Sequence, residues 1–173
     1  MAVTIALYSD LKARNRPSFY APPLAWAVTQ FTRSLIDDAG AIAPHHTGLI
    51  VVSDECSLST IRELSRTAEH GSISPLRFAG ASPSIVAGLP ALEHGLRGPT
   101  MTLTMQPAHA SEAMIAMIDY WLRYCRIVSV IAVAHHIQGG RHHVFKGFVA
   151  KSTGVELRGH VLQLTDPRPG ELE

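Results

Sequence analysis

The sequence predicts an α/β domain in which helices pack on a largely parallel sheet. Residues 48–53 and 127–134 are short, almost continuous apolar runs, which are typical of strands covered on both faces. Between and around these runs, apolar residues recur at helical spacing, as in residues 25–36 and 111–122. Strands that alternate with amphipathic helices indicate a sheet with helical connections.

The length and composition favour one folded domain. The chain has 173 residues, of which 46% are hydrophobic, so a disordered chain is excluded. We expect a single domain over residues 1–165, followed by a loose, polar tail at 166–173.

The charge and the apolar pattern also restrict the partners. The net charge of +1, without a cluster of lysines and arginines, argues against nucleic acid as a partner. The longest apolar run is far shorter than the roughly 20 residues that cross a membrane. Two cysteines make no disulfide framework, so we expect a cytoplasmic protein.

In the first half of the chain, residues 3–8 are predicted to form a strand and residues 25–36 a helix. A second strand follows at 48–53, and Ser57 can cap a helix whose apolar stripe includes Leu64. Residues 70–99 are rich in Gly, Pro and Ser. Within them, residues 85–96 are predicted to be helical, with Pro90 either bending the helix or marking its start.

In the second half, residues 100–105 are predicted to form a strand and residues 110–126 a helix. The helix has an apolar stripe that contains Met114, Met117, Ile118, Trp121 and Leu122. A buried strand follows at 127–134. Residues 143–150 and 155–164 are predicted to form a C-terminal hairpin around residues 152–154.

Ten histidines, six of them in doublets at 45–46, 135–136 and 142–143, suggest a metal site as one alternative. Adjacent strand residues point to opposite faces, so each doublet can supply one ligand to a given site. His135 and His142 are the weak candidates for such ligands. Because no further ligand motif accompanies them, surface histidines are the preferred interpretation, and we expect no metal and no cofactor.

Cys56 is the best candidate nucleophile on chemical grounds. It follows a predicted strand and precedes a predicted helix, and a helix N-terminus can lower the pKa of a thiol. Cys125 is predicted to be a half-buried structural thiol. One function left open is therefore a small hydrolase or acyltransferase that uses Cys56 or the histidines. A structural module without a ligand is another.

Three stretches of sequence carry a family resemblance. They are Leu49-Ile50-Val51-Val52-Ser53-Asp54-Glu55, then Ile73-Ser74-Pro75-Leu76-Arg77-Phe78, and then Gly95-Leu96-Arg97-Gly98-Pro99. In this order, and followed by a strand and a long helix, they resemble the N-terminal half of a β-ketoacyl synthase. The resemblance is closest to the short ketosynthase-like family of bacterial polyketide and aryl-polyene-type gene clusters.

This resemblance implies half of a thiolase-like fold, with a mixed five-stranded sheet. It also implies a catalytic cysteine nine residues after Gly98, where this sequence has Pro107, or Gln106 if the alignment slips by one residue. Neither residue is a nucleophile. The two histidines of a synthase come from the C-terminal half, before which this chain ends. The expected function is therefore a catalytically inactive partner or accessory subunit in polyketide or fatty-acyl biosynthesis.

The resemblance also implies partners, namely a second copy of the chain or a ketosynthase-like subunit. The expected interface is the strand at 100–105 and the helix after it. Its predicted members are Thr100, Met101, Thr102, Leu103, Thr104, Met105, Met114, Met117, Ile118 and Trp121. An acyl carrier protein is a further expected partner. Its candidate contacts, which are equally consistent with solvated surface arginines, are Arg62, Arg66, Arg77 and Arg97.

Overall fold

The computed structural model describes residues 1–7, 21–71 and 75–166. Five strands form one mixed sheet, as the family resemblance implied, and their order is β1-β5-β4-β2-β3. The strands are β1 (Ala2–Leu7), β2 (Thr47–Ser53), β3 (Thr100–Leu103), β4 (Ser129–Gln138) and β5 (His142–Ala150). The helices are α1 (Pro23–Ala39), α2 (Leu58–Ala68), α3 (Pro75–Ala79), α4 (Ile85–Glu93), α5 (Ser111–Tyr124) and α6 (Val155–Thr165).

Strands β3, β2 and β4 form the parallel part of the sheet. In the register, Val51 of β2 lies between Thr102 of β3 and Val133 of β4. All seven residues of β2 are buried, which explains its continuous apolar run. Strands β5 and β1 continue the sheet in antiparallel pairing.

Each face of the sheet has its own core. On the first face, α1 and α4 cover Leu49, Val51, Val133 and Phe145. On the second face, α5 and α6 cover the alternate strand residues, which belong to a separate core. Successive residues of a strand point to opposite faces, so two helix layers are needed to bury both sets.

The predicted C-terminal hairpin is wrong. Residues 155–164 belong to helix α6, whose buried Leu157, Val161 and Leu164 follow helical spacing. The hairpin that does form joins β4 to β5 around Gly139 and Gly140, which have φ angles of 58° and 72°. Glycine adopts such positive φ angles readily, which is why the chain can reverse there.

Helix α4 keeps Pro90 inside it, so this proline neither starts nor ends the helix. The predicted tail, residues 166–173, is described only at Asp166, and the rest lies outside the described residues, as do Ile73 and Ser74. No helix in the described ranges is both long enough and apolar enough to cross a membrane.

Gly98 and Pro99 attach the start of β3 to β2. The Gly98 N–H donates to the Thr47 carbonyl at 3.1 Å, and the Leu49 N–H donates to the Pro99 carbonyl at 2.9 Å. A Cβ atom on Gly98 would lie only 2.5 Å from the Thr47 carbonyl oxygen. The backbones therefore approach as closely as they do because residue 98 has no side chain.

We expect Gly98→Ala to lower the free energy of unfolding by about 1–3 kcal/mol, because the added methyl group meets backbone that cannot rotate away. Gly88→Ala is the matched control, since a Cβ atom there meets nothing within 4 Å. The control should be neutral or stabilising by about 0.5–1 kcal/mol, because Gly88 lies inside a helix. Urea unfolding measures both variants, and equal effects would contradict the steric explanation.

Candidate functional site

Three parallel strands bring their carboxyl ends to one edge of the sheet. Ser53 at the end of β2 lies beside His135 of β4, and the chain leaves β3 next to them after Leu103. Ligand sites of open α/β sheets commonly lie outside the carboxyl ends of the strands. This edge of the sheet is therefore the candidate location of a functional site.

Gln106 and Pro107 lie in the turn that connects β3 to α5. Gln106 is exposed and extended, with φ −62° and ψ 133°, and Pro107 is buried at the start of a short 3₁₀ turn. Helix α5 begins only after this turn, at Ser111. The turn thus offers neither a thiol nor, at Pro107, a backbone N–H that could stabilise a developing oxyanion.

A buried hydrogen-bond network lies on the first face of the sheet, at the same edge. Ser53 Oγ lies 2.8 Å from His135 Nδ1, and His135 Nε2 lies 2.8 Å from His143 Nδ1. All three side chains are buried, and the two imidazole rings stack with centroids 5.0 Å apart. We call these three residues the Ser53–His135–His143 network.

The direction of each hydrogen bond follows from the neighbours of Ser53. Its Oγ accepts the backbone N–H groups of Glu55 and Cys56, both at 3.2 Å, which uses its two acceptor positions. The Ser53 hydroxyl must therefore donate to His135 Nδ1. A neutral His135 then carries its proton on Nε2 and donates it to His143 Nδ1.

Both histidines of the network are held neutral by their surroundings. Burial lowers the pKa of His135 well below its ordinary value, and the nearby imidazoles of His143 and His136 lower it further. Burial also lowers the pKa of His143. Neutral rings are what the network requires, because each ring accepts one hydrogen bond from the residue before it.

Cys56 follows this network but lacks the properties of a nucleophile. Its side chain is 3% exposed, and its thiol donates to the Ser53 carbonyl at 3.1 Å. Burial raises the pKa of the thiol to about 11. A side-chain hydrogen bond with Ser53 opposes this increase in part, and the charges of Asp54 and Glu55 add to it. The thiolate is the reactive form, so this environment disfavours an enzyme based on Cys56.

The histidine pair predicted as metal ligands is not brought together. His135 is buried on the first face, whereas His142 is exposed and, by the register of β5, points to the opposite face. The partner of His135 is His143 instead. In the described part of the chain, no group of three or more His, Cys, Asp or Glu residues could hold a metal ion.

A second buried polar group lies on the other face of the sheet, and no pattern in the sequence predicted it. Lys146 is 2% exposed, and its ammonium group donates to the Asp166 carbonyl at 2.7 Å. Burial and the charge of Lys146 lower the pKa of His136, while Asp54 opposes them. The alternation of β5 is what places a lysine here, in a strand that is otherwise mostly apolar.

The predicted interface divides into two parts. Met114, Ile118 and Trp121 are buried in the core of this chain, so they are not available as an exposed stripe. Met117 is only half-buried. Met114, Ile118 and Trp121 are buried because α6 covers this side of α5. The sequence pattern predicted a hairpin strand instead of α6, so this cover was not expected.

The strand part of the predicted interface remains accessible. β3 is an edge strand, and its outer side has no neighbouring strand among the described residues. Thr100 and Thr104 are exposed, whereas Met101, Thr102, Leu103 and Met105 are half-buried. Association through this edge stays a prediction.

Two of the four predicted carrier-protein contacts are engaged within the chain. Arg62 lies 3.6 Å from the Glu55 carboxylate, and Arg77 lies 2.8 Å from the Glu63 carboxylate. Arg66 and Arg97 are exposed and have no such ion pair with any described residue. Contact with a carrier protein stays a prediction that now depends mainly on these two arginines.

Comparisons with known proteins identify the fold. No model of a protein family matches the sequence, and no curated protein matches it significantly. Among solved structures, the ishigamide ketosynthase/chain length factor matches with a TM-score of 0.63 and 16% identity, over 83% of this chain and 49% of that one. This chain has a ketosynthase-like fold. It spans about half the length of that protein.

A second solved structure shares the ketosynthase-like fold over nearly the whole of both chains. It is described as the ketosynthase ApeO in complex with its chain length factor ApeC from Xenorhabdus doucetiae. The TM-score is 0.58 at 11% identity, with 94% of this chain and 90% of that chain covered. The fold that the sequence motifs implied is thereby confirmed.

Proposed function

We propose that this chain is a non-condensing, ketosynthase-like subunit that associates with a ketosynthase-like partner in polyketide or fatty-acyl assembly. The observation that carries the proposal is the turn between β3 and α5, where the ketosynthase pattern requires a cysteine and this chain has Gln106 and Pro107. A carboxamide and a pyrrolidine ring cannot attack a thioester.

The chemistry of condensation makes this substitution decisive. A thiolate must attack the acyl thioester, expel the carrier thiol and hold the acyl group as a new thioester. The oxyanion formed on the way needs N–H donors, and Pro107 has none. Cys56 does not replace the missing thiol, because it is buried and its pKa is raised to about 11.

The outer edge of β3 supports an association surface. The strand is short, and the sequence from Thr100 to Leu103 contains neither a charge nor a proline. Natural proteins commonly protect exposed edges with lysine, proline or bulges, so an edge without them is suited to pairing with another strand. The half-buried Met101, Leu103 and Met117 pack at the border of the second core and extend this surface with apolar atoms.

We expect no acyl transfer to this chain. The chain is incubated with acyl and malonyl thioesters of an acyl carrier protein, and intact-mass spectrometry then detects any covalent acyl group. A full-length ketosynthase serves as the positive control. The mass of this chain should stay unchanged and no condensation product should form, whereas an acylated chain or turnover would contradict the proposal.

Binding to a carrier protein is tested separately. If an acidic carrier docks here, reversing Arg66 and Arg97 together to glutamate should weaken binding at least about tenfold, because two attractive charges become repulsive. The control reverses Arg126 and Arg141 together to glutamate, which makes the same charge change at two exposed arginines outside the predicted contacts. Titration at low salt measures affinity, and equal losses in both variants would exclude a specific role for Arg66 and Arg97.

A further inference from the structure

The turn at residues 53–57 is held closed by bonds that converge on one atom. Ser53 Oγ accepts the N–H groups of Glu55 and Cys56, and Cys56 adopts a φ angle of 40°. A non-glycine residue in this left-handed region is strained and persists only where surrounding contacts hold it. The turn is also attached to the rest of the fold by the Ser57 hydroxyl, which donates to the Ala81 carbonyl at 2.6 Å.

An additional proton has no place in the Ser53–His135–His143 network. A proton on His135 Nδ1 would point at Ser53 Oγ, whose acceptor positions are already filled by Glu55 and Cys56. A proton on His143 Nδ1 would point at the Nε2–H of His135. In either case two donors face each other inside the core, and the charge is buried as well.

We propose that the Ser53–His135–His143 network holds the turn at residues 53–57 closed and releases it when the network is protonated. The turn stays closed while both imidazoles are neutral, and it opens when His135 takes up a proton. Ser53 Oγ then turns away to relieve the facing donors, and the N–H groups that hold the strained Cys56 lose their common acceptor. The device is independent of any partner subunit.

Within residues 1–7, 21–71 and 75–166, no carboxylate contacts His135 to offset such a proton. Both of its ring nitrogens are already engaged, by Ser53 and His143, so no carboxylate contacts them. His136 and Lys146 lie on the other face of β4 and β5, and the His136 imidazole lowers the pKa of His135 further. Across the turn are the carboxylates of Asp54 and Glu55, of which Glu55 forms an ion pair with Arg62 at 3.6 Å.

Of the elements that the structure describes on the first face, α1, α4 and β1 add no buried counter-charge. Among the described residues of α1 and α4, every charged side chain is exposed. These residues are Arg33, Asp37, Asp38 and Glu93. Strand β1 contains no titratable side chain.

The thiol of Cys56 reports on the opening without any label in the chain. It is 3% exposed in the closed turn, whereas the thiol of Cys125 is half-buried and serves as a reference in the same molecule. The full chain is treated with dithiodipyridine, which reacts with thiols in acid, between about pH 7.5 and pH 5. Mass spectrometry of the two cysteine peptides then gives both rates, each normalised to a small free thiol at that pH.

We expect the normalised Cys56 rate to rise about tenfold for each pH unit below about 6, because the open turn binds one more proton than the closed turn. The Cys125 rate should change little. His135→Gln, which cannot be protonated, should remove the pH dependence. His142→Gln is the control, because His142 is exposed on the other face. A pH dependence that persists in His135→Gln would overturn the proposal.

Two further measurements separate local opening from other causes. Amide exchange at Ile131 and Val133 in the centre of β4 should not follow the same pH dependence, and if it does, the opening is global and the proposal is wrong. Nitrogen chemical shifts of the unmodified chain should show neutral His135 with its proton on Nε2 at about pH 6. A doubly protonated ring in the closed form would overturn the proposal even if the glutamine variant fails to fold.

Discussion

Replacing both Thr100 and Thr104 with lysine is expected to abolish association through the β3 edge. Both side chains are exposed, so the free energy of unfolding should change by less than about 0.5 kcal/mol. In an assembled sheet, however, the new ammonium groups would be buried against the partner strand without counter-ions. We expect Kd to rise at least about 100-fold, which corresponds to about 2.7 kcal/mol.

Size exclusion with light scattering measures this effect on the chain alone, and on a mixture with the full-length ketosynthase encoded nearest to it. The unmodified chain should elute as a dimer or as a complex, and the variant should elute as a monomer. A control with the same charge change places lysines at Ser65 and Gln163, which are exposed on α2 and α6. If the unmodified chain is monomeric and does not bind the ketosynthase, the β3 edge is excluded as an interface.

Trp121→Ala is expected to lower the free energy of unfolding by about 3–5 kcal/mol. Trp121 is 4% exposed and belongs to the second core, and a Cβ atom on Gly48 would lie 3.2 Å from its ring. Its removal therefore leaves a cavity between β2 and α5. Because domains of this size are stable by only about 5–15 kcal/mol, the variant should lose a large part of its stability.

Tyr124→Ala is the matched control for this variant. Tyr124 is an aromatic residue of the same helix and is 70% exposed, with one ring contact to Tyr120 at 5.2 Å. Its loss should cost less than about 1.5 kcal/mol. Denaturant unfolding distinguishes the two interpretations of Trp121. If Trp121→Ala leaves unfolding unchanged but prevents association, Trp121 is an interface residue, as its position in the helical stripe predicted.

The sequence predicts the parallel strands well because their burial is visible in the chain itself. Residues 48–53 and 127–134 are apolar on both faces, which few structures other than a central strand require. The helix after β3 is equally visible in its spacing. The glycine before β3 is explained by the close approach of its backbone to Thr47, which the periodicity of the sequence does not reveal.

The wrong prediction of the hairpin also affected the expected interface on α5. Residues 155–164 contain branched and apolar residues that also suit a strand, and the predicted hairpin left the stripe on α5 without a cover. The helix that forms there buries Leu157, Val161 and Leu164 against the same core as Met114 and Trp121. The apolar stripe on α5 is therefore covered within this chain by α6, which the residue pattern did not reveal.

The Ser53–His135–His143 network could not be predicted from residue spacing. Ser53 and His135 are 82 residues apart, and they meet only because β2 and β4 are neighbours in a particular register. His143, rather than His142, reaches His135 because of the length of the turn around Gly139 and Gly140. The histidine doublets in the sequence predict neither the pairing of Ser53 with His135 nor the contact of His143 with His135.

The strand order also has a consequence for how the chain folds. β4 and β5 are joined by a tight turn, and such hairpins form within about 1–10 μs. The parallel pairing of β2 with β4 instead joins residues 82 positions apart, and β3 can join only when β2 is in place. Loop closure makes such distant pairings slow. We therefore expect the sheet to grow outward from the hairpin, and on the parallel side we expect β3, the strand with the open edge, to be added last.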